Sequence, residues 1–117
     1  MLKEIIVIIR PGKWPATAVK LAEVGALAYT RHRVHGRGKQ KGLRYGATAP
    51  GEEPSGISFL PKWMVHIVLE DSQVDAVVKA LIEANRTGEI GDGRIFICPV
   101  VDAVRVRTSE TEQHAVN

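Results

Sequence analysis

The sequence predicts one α/β domain in which a single sheet carries two helices on one of its faces. A strand-helix-strand pattern occurs twice along the chain. The length of 117 residues fits one compact domain, taken as 1–117, and leaves no room for two. The strand patterns also suggest that both faces of the sheet are apolar. These observations predict an α+β sandwich that is not a monomer.

The first unit begins with a short run of branched apolar residues at 3–9, which is typical of a buried strand. Pro11 and Gly12 then break the strand. A helix is predicted over 14–24, and Gly25 suits its end. The chain is expected to return as a second strand over 26–34.

The second helix is predicted from its caps and its periodicity. Asp71 and Ser72 are candidate N-caps, and the spacing of Ser72 and Asp75 fits a capping box. Gly88 is expected to end the helix. Apolar residues follow the i, i+3, i+4, i+7, i+8 pattern of an amphipathic helix: Val74, Val77, Val78, Leu81 and Ile82.

Strands on either side of this helix complete the second unit. They are predicted at 63–69 and 94–98, and a short fifth strand is predicted at 103–108. A repeated strand-helix-strand order gives a ferredoxin-like βαββαβ sandwich.

The first and third strands are apolar on both faces. Alternate residues of a strand point to opposite faces, and two helices can cover only one of them. The uncovered face is therefore expected to be buried against other subunits. The apolar residues of one face are Ile5, Val7, Ile9, Val65, Ile67 and Leu69, and those of the other are Ile6, Ile8, Met64 and Val68.

Composition narrows the class of protein. A single cysteine, Cys98, excludes a disulfide framework within the chain, and its apolar neighbours favour inert core packing. No apolar run reaches the roughly 18 residues of a membrane span. The first residues include an acidic one and no small-residue cleavage site, so no secretory signal is predicted and a cytoplasmic location is expected. A net charge of +3 is too small to indicate nucleic-acid binding by itself.

A long glycine-rich stretch separates the second and third strands. The segment between Gly36 and Phe59 contains six glycines, counting Gly36, and two prolines. Loops of this length in compact domains are usually functional or disordered. A functional loop is the favoured interpretation, with an unstructured insertion as the alternative.

Three clusters could bind an anion. The segment 36–42 combines glycines with cations, and the segment 87–94 has three glycines before Arg94. Arg105 and Arg107 would share one face of the predicted fifth strand. Each has an ordinary alternative: a solvated loop, a helix stop with a turn, and a charged edge strand. Together they predict a triphosphate site that adjacent subunits complete.

The sequence does not support enzymatic turnover. It has no HExxH, CxxC, GxSxG or paired-carboxylate helix motif, and no nucleophile with an evident base. A slow ATPase is at most a side activity. An RNA-binding module would need exposed aromatic residues on the central strands, and strands one and four offer only Phe96. The histidines show no metal-binding spacing: His32, His35, His66 and His114.

These clusters, in this order, resemble those of the nitrogen-regulatory PII signalling proteins. The run Thr87-Gly-Glu-Ile-Gly-Asp-Gly-Arg-Ile-Phe-Ile-Cys-Pro-Val is similar to the family's C-terminal signature. The runs Gly36-Arg-Gly-Lys-Gln-Lys-Gly, Phe59-Leu-Pro-Lys and Arg105-Val-Arg-Thr also match, so the resemblance covers nearly the whole chain.

The resemblance implies a trimer of ferredoxin-like subunits that binds ATP or ADP in clefts between neighbours and is not an enzyme. It implies a T-loop at about 38–59, a B-loop at about 87–94 and a C-terminal segment at 103–117. Arg105 and Arg107 would reach the nucleotide from the adjacent subunit. The implied nucleotide-binding residues are Ile8, Thr30, Gly36, Gly38, Lys39, Gln40, Val68, Thr87, Gly88, Ile90, Gly91, Asp92, Gly93, Arg94, Arg105 and Arg107.

The resemblance also implies that 2-oxoglutarate binds beside MgATP and chelates the Mg²⁺ ion. Gln40 would be a magnesium ligand, and Lys62 would pair with the far carboxylate of the oxoacid. Magnesium commonly sits on substrate phosphates and needs few protein ligands. The implied 2-oxoglutarate site consists of Gly38, Lys39, Gln40, Lys41, Gly42 and Lys62.

Details of the long loop and the tail point to one branch of the family. Tyr45 is not followed by the second tyrosine that many bacterial relatives carry, which argues against uridylylation. The cationic loop and the tail resemble the nitrogenase-operon branch, the NifI type, and the second member of its usual pair. Such proteins act with a sister PII protein and bind dinitrogenase, so a homotrimer or a mixed assembly is expected. The alternative is a PII regulator of an ammonium transporter or of nitrogen-assimilation enzymes, without membrane insertion or nucleic-acid binding.

Overall fold

A computed structural model describes residues 1–37 and 59–116 of the chain. The segment 38–58, which includes most of the implied T-loop, lies outside these ranges. The described elements are β1 (Leu2–Ile9), a 3-10 turn (Pro11–Lys13), α1 (Trp14–Glu23), β2 (Thr30–Gly36), β3 (Leu60–Glu70), α2 (Asp71–Asn85), β4 (Arg94–Val100) and a short α3 (Gln113–Val116).

The strands form one antiparallel sheet in the order β2-β3-β1-β4. The two strand-helix-strand units are therefore interleaved, with β1 and β3 side by side in the centre. Ile5 lies opposite Ile67 on one side and Ile97 on the other. This topology confirms the predicted ferredoxin-like sandwich, and α1 and α2 pack against each other on one face.

The hydrophobic core lies between the sheet and this pair of helices. Ile5 and Ile9 of β1 are completely buried, as is Val65 of β3. The helices supply Leu21 and Leu81 to the same cluster. The predicted alternation along β1 and β3 is confirmed, because their core residues alternate with half-buried ones.

The other face of the sheet combines apolar residues with polar and charged ones, and α1 and α2 pack on the opposite face. Ile6 and Ile8 are half-buried there, and Phe96 keeps 42% of its surface exposed. Short α3 contacts β3. Cys98 lies opposite Glu4 on this open face, so the prediction that it packs in the core is wrong. In β4 the core-facing positions belong to the alternate residues Ile95 and Ile97.

Three predicted element boundaries needed correction. The second strand begins at Thr30 and not at position 26. The N-cap of α2 is Glu70, not Asp71 or Ser72, and its backbone N–H donates to Oε1 of Gln73 at 3.3 Å. The predicted capping box of Ser72 and Asp75 lies two residues too late, because β3 runs directly into α2 without a loop. The helix ends at Asn85, before Gly88.

The predicted fifth strand at 103–108 is wrong. Val104 forms only an isolated bridge with Thr111. The backbone N–H of Arg105 donates to the Glu110 carbonyl at 2.8 Å, and the Ser109 N–H donates back to the Arg105 carbonyl at 2.7 Å. These bonds make a tight turn with Arg107 near its tip, so the two arginines do not share a strand face. None of the helices in the described ranges has the length and apolar character needed to cross a membrane.

Candidate functional site

One edge of the sheet is formed by strand termini, where the end of β1, the end of β2 and the starts of β3 and β4 meet. The register sets Gly36 opposite Leu60 and Ile8 opposite Arg94. The loop 86–93, which joins α2 to β4, therefore lies at this edge. The segment 38–58 also leaves from it and returns to it, because β2 ends there and β3 starts there. Antiparallel pairing thus brings Gly36, the start of β3 and the loop 86–93 to the same edge.

Asp92 organises the loop between α2 and β4. Its Oδ2 accepts hydrogen bonds from the backbone N–H groups of Thr87 at 2.8 Å and Gly88 at 2.9 Å. Its Oδ1 accepts from the Thr87 hydroxyl and from Nη1 of Arg10, the latter at 2.7 Å. The Thr87 bonds, followed by those from Arg10 and Gly88, hold the pKa of Asp92 well below its usual value. The carboxylate therefore stays ionised and closes the loop on itself.

Gly93 must be glycine because the chain passes against β1 at this point. Its φ is +116°, a conformation that L residues rarely adopt, and a Cβ here would lie 2.0 Å from the Ile8 carbonyl oxygen. Gly91, with φ +96°, is approached by the side chains of Arg10 and Lys62. The glycines of the loop therefore serve close contact with β1 and with two cations.

Arg10 and Lys62 reach the loop from the neighbouring strand ends. Nη2 of Arg10 donates to the Ile90 carbonyl at 2.8 Å, and Nζ of Lys62 donates to the Gly91 carbonyl at 3.1 Å. Burial, and then the charge of Arg10, lower the pKa of Lys62, while Asp92 partly offsets them. An anion bound beside Lys62 would favour its charged form and so oppose this lowering of the pKa. The junction of Arg10, Lys62 and Asp92 thus links three segments through charge.

Sequence reasoning missed Arg10. It follows β1 directly, and the Pro11–Lys13 turn begins after it. A cation at a strand end, just before the strand-breaking Pro11 and Gly12, is a usable signal of a site residue, because strand ends at one edge of a sheet lie near each other. The signal does not identify the ion-pair partner of Arg10, because Asp92 lies 82 positions away along the chain.

Two further implied residues lie at this edge, and others lie outside the described residues. Ile8 is on the open face beside Arg94, and a Cβ on Gly36 would lie 3.6 Å from Cγ of Lys62. The set outside the described residues is Gly38, Lys39, Gln40, Lys41 and Gly42.

A second group of implied residues lies away from this edge. Thr30 is opposite His66, and Val68 is opposite Glu4, both on the open face. With these residues, α3 lines an open cavity of about 690 Å³. Nδ1 of His66 lies 3.1 Å from Oε2 of Glu4, and the His32 ring stacks on His66 at 5.2 Å.

Arg105 and Arg107 also lie away from the edge that carries the loop 86–93. They follow β4, whose last residue, Val100, pairs with Leu2 at the opposite end of β1 from Ile8. Arg105 contacts Oε1 of Glu110 at 3.2 Å. The fold therefore separates the implied residues into two groups. The loop 86–93 and the two arginines follow from opposite ends of β4.

Comparison with known proteins gives the family. The family model described as "Nitrogen regulatory protein P-II" matches residues 2–110. The chain belongs to the PII family. The family that the sequence resembles is therefore confirmed, and the PII proteins are nitrogen regulators.

Full-length relatives also identify the branch. A "Nitrogen fixation nifHD region GlnB-like protein 2" of Methanobacterium ivanovii is 40% identical over 98% of this PII chain and 99% of its own length. A protein of the same name from Methanothermococcus thermolithotrophicus is 42% identical, with 98% of each chain covered. "Nitrogen regulatory protein P-II" of Microchaete diplosiphon is 46% identical over 98% of this chain and all of its own. The nifHD-region relatives support the nitrogenase-operon branch.

A solved structure confirms the fold of this PII chain. The Arabidopsis thaliana PII bound to citrate superposes with a TM-score of 0.79 at 31% identity, covering 99% of this chain and 90% of that one. That relative binds a small carboxylate.

In the described part of this chain, no group of three or more His, Cys, Asp or Glu side chains could hold a metal ion.

Replacing Gly93 by alanine should disrupt the loop. We expect Gly93→Ala to lower the free energy of unfolding by at least about 1–3 kcal/mol, because the backbone conformation is unfavourable for alanine and its Cβ meets the Ile8 carbonyl. Urea unfolding measures the change. Gly12→Ala is the matched control, since a Cβ there meets nothing within 4 Å. Equal stability of the two variants would contradict the close approach.

The ionised Asp92 should make stability depend on pH at the acidic end. Its pKa is lower in the folded chain than the ordinary 3.8, so its contribution is present above about pH 4 and is lost as pH falls further. We expect Asp92→Asn to be less stable than the parent at about pH 7 and the difference to shrink at about pH 3. Urea midpoints at both pH values measure this, with Asp75→Asn on the exposed side of α2 as control. A difference that does not change with pH would exclude this role of the charge.

Proposed function

We propose that this PII chain senses adenine nucleotides and 2-oxoglutarate and regulates nitrogen fixation by binding a target protein through its T-loop. The observation that carries the proposal is the charged junction of Arg10, Asp92 and Lys62 at the base of that loop. It joins the B-loop to the strand that follows the T-loop. A ligand that changes the junction can therefore change the loop.

The nucleotide is proposed to bind between two subunits. The B-loop of one chain would contact the phosphates, and Arg105 and Arg107 of the neighbour would complete the charge. The separation of the two residue groups within one chain supports this arrangement. Exposed apolar residues on the open face, such as Phe96, support burial against other copies, as a homotrimer or with a sister PII chain. ATP and ADP are the proposed nucleotides.

Mg²⁺ would be held mainly by the nucleotide. Oxygen ligands suit this ion, and phosphates commonly supply most of them. The described residues fit this, since they offer no metal cluster of their own. Gln40 is the proposed protein ligand, and the ion would supply a positive centre between the triphosphate and 2-oxoglutarate.

Lys62 is the proposed partner of the far carboxylate of 2-oxoglutarate. Its Nζ is bonded to the Gly91 carbonyl, and its pKa is lowered by burial and by Arg10. A carboxylate offers this ammonium a charged acceptor in place of a neutral one, which is the stronger hydrogen bond. Binding would therefore draw Lys62 from Gly91 and loosen its tie to the B-loop. That change would reach 38–58 through the start of β3.

Nitrogen fixation is the proposed setting because of the nifHD-region relatives. Dinitrogenase is the proposed target, bound when 2-oxoglutarate is low. The T-loop would carry the contact, since it leaves the sheet at the charged junction. Binding would then depend on which ligands fill the junction, as a shift between two loop states.

Removing Lys62 should abolish the oxoacid response and spare nucleotide binding. We expect Lys62→Ala to weaken 2-oxoglutarate binding in the presence of MgATP by about tenfold or more, since a charged pair is lost. ATP binding should change by less than about threefold. Calorimetry measures both, with Lys79→Ala on the exposed face of α2 as control. An unchanged oxoacid titration would refute the role of Lys62.

The target proposal is tested by affinity capture from nitrogen-fixing cells of the source organism. The tagged chain should retain dinitrogenase subunits and release them when MgATP and 2-oxoglutarate are added together. Lys62→Ala should retain them after the same addition. Recovery of an ammonium channel without dinitrogenase would instead favour the transporter alternative.

A further inference from the structure

Edge strand β2 presents a row of cations on the helix side of the sheet. Arg31, Arg33 and His35 occupy alternate positions, so they share one face, and all three are exposed. Arg37 follows the strand and is also exposed. Because β2 is the first strand in the sheet order, no strand of the same chain covers its outer edge among the described residues.

Two tryptophans hold the arginines of this row in place. The guanidinium carbon of Arg31 lies 4.5 Å from the Trp14 ring centre and 4.2 Å from that of Trp63. Arg33 lies over Trp63 at 5.0 Å. The Trp14 and Tyr29 rings pack in a T-shaped arrangement with their centroids 5.3 Å apart. Stacking engages the face of a guanidinium and leaves the N–H groups along its rim able to donate.

These arginines have no acidic partner within the described residues. The ion pairs found in 1–37 and 59–116 use other cations, namely Arg10, Lys20, His66 and Arg105. Arg31 and Arg33 are therefore ordered by aromatic rings and are not neutralised by carboxylates there. Positioned but unneutralised arginines are suited to recognise planar carboxylates.

We propose that this row, the basic face of β2, binds an acidic extended segment of a partner protein. Alternate side chains on a strand repeat at roughly 6.5–7 Å, so glutamates or aspartates at alternate positions of an extended segment match the cations. The open edge of β2 can add the segment as a further strand. The partner chemistry is thus a strand with carboxylates at every second residue.

A single-stranded nucleic acid fits this surface less well. Bases would need open aromatic faces for stacking. In this cluster Trp14 and Trp63 are already stacked with guanidinium groups. The net charge of +3 is also small for a protein that binds a polyanion.

The basic face is separate from the proposed nucleotide site. Arg31 and Arg33 point to the helix side, whereas Thr30 and His32 on the same strand point to the open face. The proposal therefore does not depend on adenylate or 2-oxoglutarate binding, and its test needs neither ligand.

The test uses a heptapeptide with Glu at alternate positions separated by Thr, and a Gln-for-Glu peptide as reference. Trp14 and Trp63 are the two tryptophans of the chain, so their fluorescence reports directly on the basic face. We expect the Glu peptide to change this fluorescence and to bind in calorimetry, and the Gln peptide to do neither.

Matched variants then locate the contact. The double variant Arg31→Gln/Arg33→Gln should bind the Glu peptide at least about tenfold more weakly. Lys79→Gln/Arg86→Gln removes the same charge elsewhere and should change binding by less than about twofold. Arg33→Lys keeps the charge but not the planar fork, and it should weaken binding by about threefold or more. This variant replaces the double variant in the test if the double variant does not fold.

Several results would overturn the proposal. These are no binding of the Glu peptide at millimolar concentration, equal binding of the Gln peptide, or equal losses in the two double variants. Tighter binding of a thymidine oligonucleotide of the same charge would assign the surface to nucleic acid instead.

Discussion

The carboxylate of Asp92 is the group on which the candidate site depends. Four hydrogen bonds converge on it, from the backbone and hydroxyl of Thr87, the backbone of Gly88 and the guanidinium of Arg10. Three of them shape the loop after α2, and the fourth fixes that loop to the end of β1. The carbonyls of Ile90 and Gly91 are then presented to Arg10 and Lys62. One acidic side chain thus sets where two cations lie.

Sequence periodicity was enough to predict the architecture. The alternation in β1 and β3 and the amphipathic pattern of α2 are produced directly by burial in the core, so they can be read without a structure. Predictions failed where a local bond competes with the pattern. The arginines at 105 and 107 alternate as a strand would, but the bonds between Arg105, Ser109 and Glu110 close a turn instead. The cap of α2 was misplaced because Glu70 serves both β3 and the helix.

The candidate site could be predicted only in part. Its glycines and cations were visible as clusters, since each lies within a short run of the chain. The contact between Arg10 and Asp92 was not, because it joins residues 82 positions apart, and no spacing rule covers such a pair. The cation-aromatic stack was hidden for the same reason: Arg31 is near Trp63 only because β2 pairs with β3. Long-range pairs need the register of the sheet, and alternation along a strand gives the face of each residue but not its cross-strand partner.

The start of β3 carries Lys62 and Trp63 next to each other. Consecutive residues of a strand point to opposite faces, so Lys62 contacts the loop at Gly91 while Trp63 supports the arginines of β2. A peptide unit is planar and stiff, so neither side chain can be displaced along the strand without moving the other's anchor point. Lys62 and Trp63 therefore support two different surfaces of the molecule from neighbouring backbone positions. A substitution at either position therefore lies next to the residue that supports the other surface, and its effect belongs to both surfaces.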